Sequence, residues 1–232
     1  MQNKLTFTLI GDGSSDKALI NIIKWLLNDK YPKLSIVSQF ADFRGYRNPP
    51  RRSDILAQIE FARIYFPFDM IIYHRDAEQT DRNFIDIRKR EIFDSIIDNE
   101  MAGKIVSIVP IVMMESWLLF DEASIKKVAE NKNYSNKIDL PALSQIEEIR
   151  DSKNRLHELL KTVSCKKKRS LKNFNVKKAV HLVADNITDF SPLRNLYSFR
   201  CFERDLDECI LKLKPKFFFN EIQLQENNVL EY

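Results

Sequence analysis

Four short apolar runs, each closed by an acidic or turn-forming stretch and separated from the next by residues at helical spacing, constrain this chain more than any other feature. Leu5, Phe7, Leu9 and Ile10 form the first run, which stops at Gly11-Asp12-Gly13. Ser14, Ser15 and Asp16 then offer helix N-caps, and Ala18, Leu19, Ile22, Ile23, Leu26 and Leu27 recur at helical intervals. Leu34 to Phe40 is the second run, followed by an irregular loop over 42–52 marked by Gly45, Pro49 and Pro50, and by a helix with Ile55, Leu56, Ile59 and Ala62 on one face. Phe68 to Tyr73 and Ile105 to Val112 are apolar at both parities, as central parallel strands are. A helical stretch carrying Phe84, Ile85, Phe93, Ile96 and Ile97 lies between them. The order β-α-β-α-β-α-β predicts an α/β fold: a mostly parallel sheet with helices on its faces.

Beyond about Glu115 the pattern turns helical only, through Leu156, Leu159, Leu160 and Val163, then Val176 to Val183, then Phe199, Phe202, Leu206, Ile210 and Leu213. The expected division is an α/β domain over 1–120 and an α-helical C-terminal annex over 121–232 packed on it, with no Gly/Ser linker between. At 232 residues and 44% hydrophobic content the chain can bury such a core. Its longest apolar stretch, Ile105 to Met114, is about half of what a membrane-spanning helix needs, so neither a membrane span nor a secretory leader is expected and a cytoplasmic location follows. Three cysteines without a C-x-x-C pair speak against a disulfide framework and a zinc ribbon. Four glycines, at 11, 13, 45 and 103, cannot assemble a G-x-x-x-x-G-K-[ST] loop, which excludes P-loop NTPases.

Open α/β sheets bind ligands beyond the carboxyl ends of their strands. Asp12 follows the first strand, Asp76 and Glu78 the third, Glu115 the fourth, and Asp16 lies one turn into the first helix. If those strands are neighbours, the carboxylates converge, and such a density of like charge calls for a cation. Oxygen donors with His74 as the one nitrogen nearby suit Mg2+ or Mn2+ better than Zn2+. Asp12 between two glycines also reads as a turn residue, and Asp76 and Glu78 as the start of a solvated loop. Glu115, set between Val112-Met113-Met114 and Trp117-Leu118-Leu119, is harder to leave unpartnered, because an isolated buried carboxylate is costly.

At these residues the chain resembles Toprim-type proteins, and more narrowly the Toprim-like family called domain of unknown function 4276, related to the Toprim domains of OLD-type nucleases. Gly11-Asp12-Gly13-Ser14-Ser15-Asp16 stands where that family has Glu-Gly-x-[ST]-[DE], Asp76-Ala77-Glu78 after Arg75 where it has Asp-x-Asp, and Glu115-Ser116-Trp117-Leu118-Leu119 where it has Glu-x-Trp-Leu-Leu. Ser152-Lys153-x-x-Leu156 and Ser198-Phe199-x-x-Phe202 echo later segments, so the likeness runs from about residue 5 to 213. The resemblance implies a Toprim/Rossmann-like sheet and Mg2+-dependent nuclease or phosphotransferase chemistry, in prokaryotic defence with an ATPase partner. Asp12 would act in proton transfer, Arg75 would meet phosphate, and Asp76, Glu78, Glu115 and Asp16 would hold metal. Asp12 is one methylene shorter than the family's Glu and Glu78 one longer than its Asp. A non-catalytic Toprim-like subunit that docks on an ATPase or effector is therefore the alternative.

The net charge of +4 permits an anionic partner, and the distribution of charge points to nucleic acid. The loop from Phe43 to Arg52 carries Arg44, Arg47, Arg51 and Arg52 among aromatics, a composition suited to phosphates and exposed bases. A second basic run, from 165 to 178, includes Lys166, Lys167, Lys168 and Arg169 and no acid.

Overall fold

The computed structural model describes residues 4–167 and 174–213. Four strands, β1 (Lys4–Ile10), β2 (Ser35–Phe40), β3 (Met70–His74) and β4 (Ile105–Ile108), form one sheet in the order β2-β1-β3-β4. Every pairing is parallel, with Leu9 opposite Phe40 and Ile72, and His74 opposite Ile108. The connecting helices are α1 (Leu19–Lys30), α2 (Ile55–Tyr65), α3 (Asn83–Phe93) and the single turn α4 (Asn99–Ala102); α5 (Glu122–Val128), α6 (Ser152–Ser164), α7 (Val176–Asn186) and α8 (Tyr197–Leu213) follow the sheet. This is the expected α/β, Toprim/Rossmann-like architecture with a helical C-terminal part. Among the described residues no helix is long and apolar enough to cross a membrane.

The two-parity apolar strands are explained by what covers each face. Leu5, Phe7 and Leu9 of β1, Met70 and Ile72 of β3, and Val106 and Ile108 of β4 share one core with α1 and all four C-terminal helices. Ile10, Ile71, Tyr73 and Ile105 face the other way, onto Ile55, Ile59 and Ala62 of α2 and Ile92 of α3. Because the larger core runs unbroken from Leu5 to Ile210, the helical annex is continuous with the sheet's packing. Polar links reinforce it at the rim: Lys30 of α1 pairs with Glu203 and Asp207 of α8, and Arg194 pairs with Asp29.

Two motifs singled out in the sequence meet inside this core. Trp117, fully buried, donates its indole N–H to Ser198 Oγ at 3.1 Å and packs edge-on against Phe199 with ring centres 5.2 Å apart. Glu147 accepts the backbone N–H groups of Tyr197 and Ser198 and the Ser198 hydroxyl, which caps α8 with a negative charge at its positive end. Glu-Ser-Trp and Ser-Phe-x-x-Phe are thus halves of one buried joint between the sheet and α8.

The fourth strand ends earlier than its apolar run predicts, at Ile108. Pro110 has no N–H to continue a ladder, and Val112 adopts a left-handed backbone with φ of 62°. Glu78, opposite it on the extension of β3, is also left-handed at 61°, and the Glu78 N–H donates to the Val112 carbonyl at 2.8 Å. For a β-branched, buried residue this conformation is strained. It precedes the 3-10 segment Met114–Leu118, whose first N–H reaches Asp76 just beyond β3.

Candidate functional site

The order 2-1-3-4 places a topological switch point between β1 and β3, where connections leave in opposite directions and a crevice opens. Asp12 lies beyond β1, and His74, Arg75 and Asp76 lie at and beyond the end of β3. The crevice is organised around His74, whose side chain is 1% exposed. Its Nε2 lies 3.1 Å from Asp76 Oδ1 and its Nδ1 lies 3.1 Å from Asp16 Oδ2, the latter an ion pair without hydrogen-bond alignment. Burial by itself would lower the His74 pKa, but the two carboxylates outweigh it and raise it to about 10, which favours the charged ring. Burial likewise works to raise the Asp16 pKa, and the ion pair with His74, with the Gly13 and Ser15 hydrogen bonds, reverses that, leaving it lowered.

Asp16 has its oxygens engaged. Oδ2 also accepts the Gly13 N–H at 2.9 Å, and Oδ1 accepts the Ser15 hydroxyl. Gly11 is required by this arrangement, because a Cβ there would stand 2.7 Å from Asp16 Oδ2 and 2.8 Å from its Cβ. Asp76 is pinned through Oδ1 alone, which accepts the Met114 N–H at 2.9 Å, and its Oδ2 has no partner among the described residues. Asp12 is half-buried, with Arg75 Nε 3.7 Å from its Oδ2. Burial raises its pKa; Arg75 and His74 counter that rise, while Asp16 and Asp76 add to it. Arg75 is held loosely, its other end 3.6 Å from Glu91.

The remaining predicted acids are committed to cations. Glu78 is largely exposed and bonds Arg88 at 2.6 Å, and Arg88 also grips Glu91 and the Asp76 carbonyl. Glu115 is buried, with Oε1 2.9 Å from Nζ of Lys153 in the first turn of α6. Burial works to lower the Lys153 pKa, yet Glu115 first, then Asp76 and Asp16, keep it raised. Lys153 therefore belongs to the electrostatic surroundings of the crevice. Among the described residues, no three His, Cys, Asp or Glu side chains gather as a cation's protein ligand shell. Of the predicted acids, Asp76 keeps an Oδ2 with no partner among the described residues, and Asp12 shares the crevice with it.

The basic candidates separate. Arg44 forms a two-point ion pair with Asp42 on the surface, whereas Arg47, Arg51 and Arg52 are exposed and have no ion pair among the described residues. Lys166 is tied to Glu130 at 2.7 Å and sits over the Phe174 ring. It follows the last turn of α6 while Lys153 sits in the first, which sets the two roughly 20 Å apart at 1.5 Å per residue. Lys167 is exposed beside it, and Lys168 and Arg169 lie outside the described residues. The Arg loop adjoins the crevice directly, since Arg44 and Arg52 line one pocket with Asp12.

In the sequence His74 stands out only as a nitrogen donor near the acids, and Lys153 only as part of Ser152-Lys153-x-x-Leu156. The one local signal for His74 was a polar residue ending an otherwise apolar strand. Comparison of the chain with protein-family models, with curated proteins and with solved structures finds no match.

Proposed function

We propose that the crevice at the ends of β1 and β3 is a Mg2+-dependent phosphodiester-cleaving or phosphotransfer site acting on nucleic acid. The observation that carries this reading is Asp76, fixed through Oδ1 by His74 and Met114 while Oδ2 has no partner among the described residues, in one crevice with Asp12. Mg2+ held by Asp76 would supply polarisation of a phosphoryl group and an activated water. Asp12, in the same crevice beside Arg75, would receive a proton from the attacking water. As the water oxygen bonds phosphorus, the bond to the leaving oxygen breaks. Arg75 and Lys153, two cations on the same crevice, would offset the charge that builds on the phosphoryl oxygens. Incubation of single- and double-stranded DNA and RNA with the protein and Mg2+ or Mn2+ tests this. Cleavage that EDTA, Asp12→Asn and Asp76→Asn each abolish is expected, and wild-type protein inert on every substrate overturns it.

A second reading, a non-catalytic subunit that docks on an ATPase or effector, draws on the pairing of Glu78 with Arg88 and of Glu115 with Lys153, which satisfies two candidate ligands by ion pairs. The same assay separates the two.

A further inference from the structure

A pocket of about 280 Å3 opens beside Asp12, between the turn after β1 and the loop after β2. Its apolar walls are Phe40, Phe43 and the Pro49-Pro50 pair, and Arg52 and Asp12 stand at its polar side. We propose that this pocket receives one unstacked nucleoside of a single-stranded nucleic acid whose neighbouring phosphate lies over Asp12 and Arg75. The inference deepens the phosphotransfer reading and rests on it for the direction in which the strand runs.

The pocket is built rather than incidental. Gln58, 3% exposed, donates its side-chain amide to the carbonyls of both Arg51 and Arg52 at 2.9 Å and accepts the buried Tyr73 hydroxyl at 2.9 Å. A satisfied buried amide in that position holds the Arg loop to α2 and fixes that side of the pocket. Phe43 is braced from behind by Phe61 and Phe66, with ring centres 5.4 and 6.0 Å away. Asp42 caps the turn that carries Phe43 by accepting the Arg44 N–H.

Size and charge select the occupant. The volume falls just under the range of about 300 to 1,000 Å3 typical of drug-sized ligands, enough for one nucleoside and too little for a base pair. Aromatic and proline walls accept any base face, but only a base out of its stack can enter them. Arg52 lines the pocket, while Arg47 and Arg51 lie on the same exposed loop outside its lining. Cations both beside and beyond a base pocket suit the successive singly charged phosphodiesters of a strand. A free nucleotide would instead bring a doubly charged terminal phosphate against Asp12, Asp16 and Asp76, and of the two arginines that line the pocket Arg44 is already paired with Asp42.

Fluorescence anisotropy in EDTA reads binding without turnover. The probes are a labelled thymidine strand of about 12 nucleotides, a duplex of equal length, an abasic phosphodiester strand, and thymidine monophosphate as competitor. The base-bearing strand should bind roughly tenfold more tightly than the abasic one and outcompete both duplex and monophosphate. Phe43→Ala should erase most of that tenfold advantage while leaving abasic binding unchanged. Since Phe43 also packs on Phe61 and Phe66, the exposed Ser14 at the pocket's edge provides a second variant. Ser14→Trp should block the pocket with no core contact removed. Equal affinity for base-bearing and abasic strands, duplex preference, a monophosphate that competes as well as the strand, or no effect of Ser14→Trp each overturn the proposal. Metal-dependent cleavage with base-independent binding would sink the pocket and leave the phosphotransfer reading standing. Base-dependent binding without any cleavage would do the reverse.

Discussion

Lys153 Nζ lies 2.9 Å from Oε1 of Glu115, so the first turn of α6 reaches a buried carboxylate in the segment that follows β4. The contact joins the C-terminal helices to the crevice by charge as well as by packing. Its energetic consequence is asymmetric, because Glu115 is 4% exposed and Lys153 47%. Lys153→Met leaves a buried carboxylate without its cation and should cost about 1 to 3 kcal/mol. Glu115→Gln added to it should restore much of that loss. Urea unfolding of the single and double variants checks this, and a Lys153→Met protein as stable as wild type would show the pair to be inconsequential.

Stability should fall on the alkaline side because of His74. Its folded pKa, about 10, lies above the ordinary 6.5, so the imidazolium's contribution is complete below about pH 6.5 and is lost as pH rises towards 10. Asp16, lowered from 3.8, acts oppositely, contributing above that value and losing its contribution as pH falls below it. Between roughly pH 4 and 6.5 both hold. Unfolding free energies at pH 6 and 9.5 should therefore differ in wild type, and His74→Gln should flatten the difference. Parallel alkaline loss in both proteins would assign the effect elsewhere.

The two glycines around Asp12 should respond unequally to alanine. Gly11→Ala places a Cβ 2.7 Å from the Asp16 carboxylate and should cost about 1 to 3 kcal/mol by overpacking, displacing the partner of His74. At Gly13 the added Cβ meets only Ser15 Oγ, at 3.6 Å, and the backbone is extended with φ of −150°, so Gly13→Ala should be mild. Thermal melts of the two variants compare them directly; equal losses would contradict the close approach at Gly11.

Divalent cations should raise the melting temperature by binding the folded state preferentially. Asp76→Asn should abolish that response, whereas Glu78→Gln should retain it, since Glu78 is turned to Arg88. Calorimetric scans at millimolar Mn2+ test both variants. A response that survives Asp76→Asn would place the ion elsewhere.

Nucleic-acid affinity should depend on the Arg loop more than on the second basic run. Replacing Arg47, Arg51 and Arg52 by Ala should flatten the log-log salt dependence by roughly 2, at about 0.7 to 0.9 per phosphate contact. Lys166→Ala, which removes a residue already held by Glu130 and Phe174, should change it little. Salt titrations of binding would reverse this ranking if the run after α6 is the true contact.

What the sequence by itself determined is the alternation of strands and helices, because hydrophobic periodicity is a local property that burial on one or two faces imposes residue by residue. It also located the acids at strand ends and marked Glu115 as a carboxylate needing a partner. The premature end of β4 was in principle legible at Pro110, but the left-handed Val112 beyond it depends on the facing loop at Glu78. Strand order, and with it the crevice between β1 and β3, is a property of pairing between segments some 60 residues apart, which no local pattern encodes. The same distance hid the role of His74. Its charge comes from Asp16 on one side and Asp76 on the other, and only the folded sheet brings the first of these to its ring. Tertiary structure likewise decided that Glu78 and Glu115 meet cations, because Arg88 and Lys153 reach them from helices whose placement is set by the packing of their apolar faces.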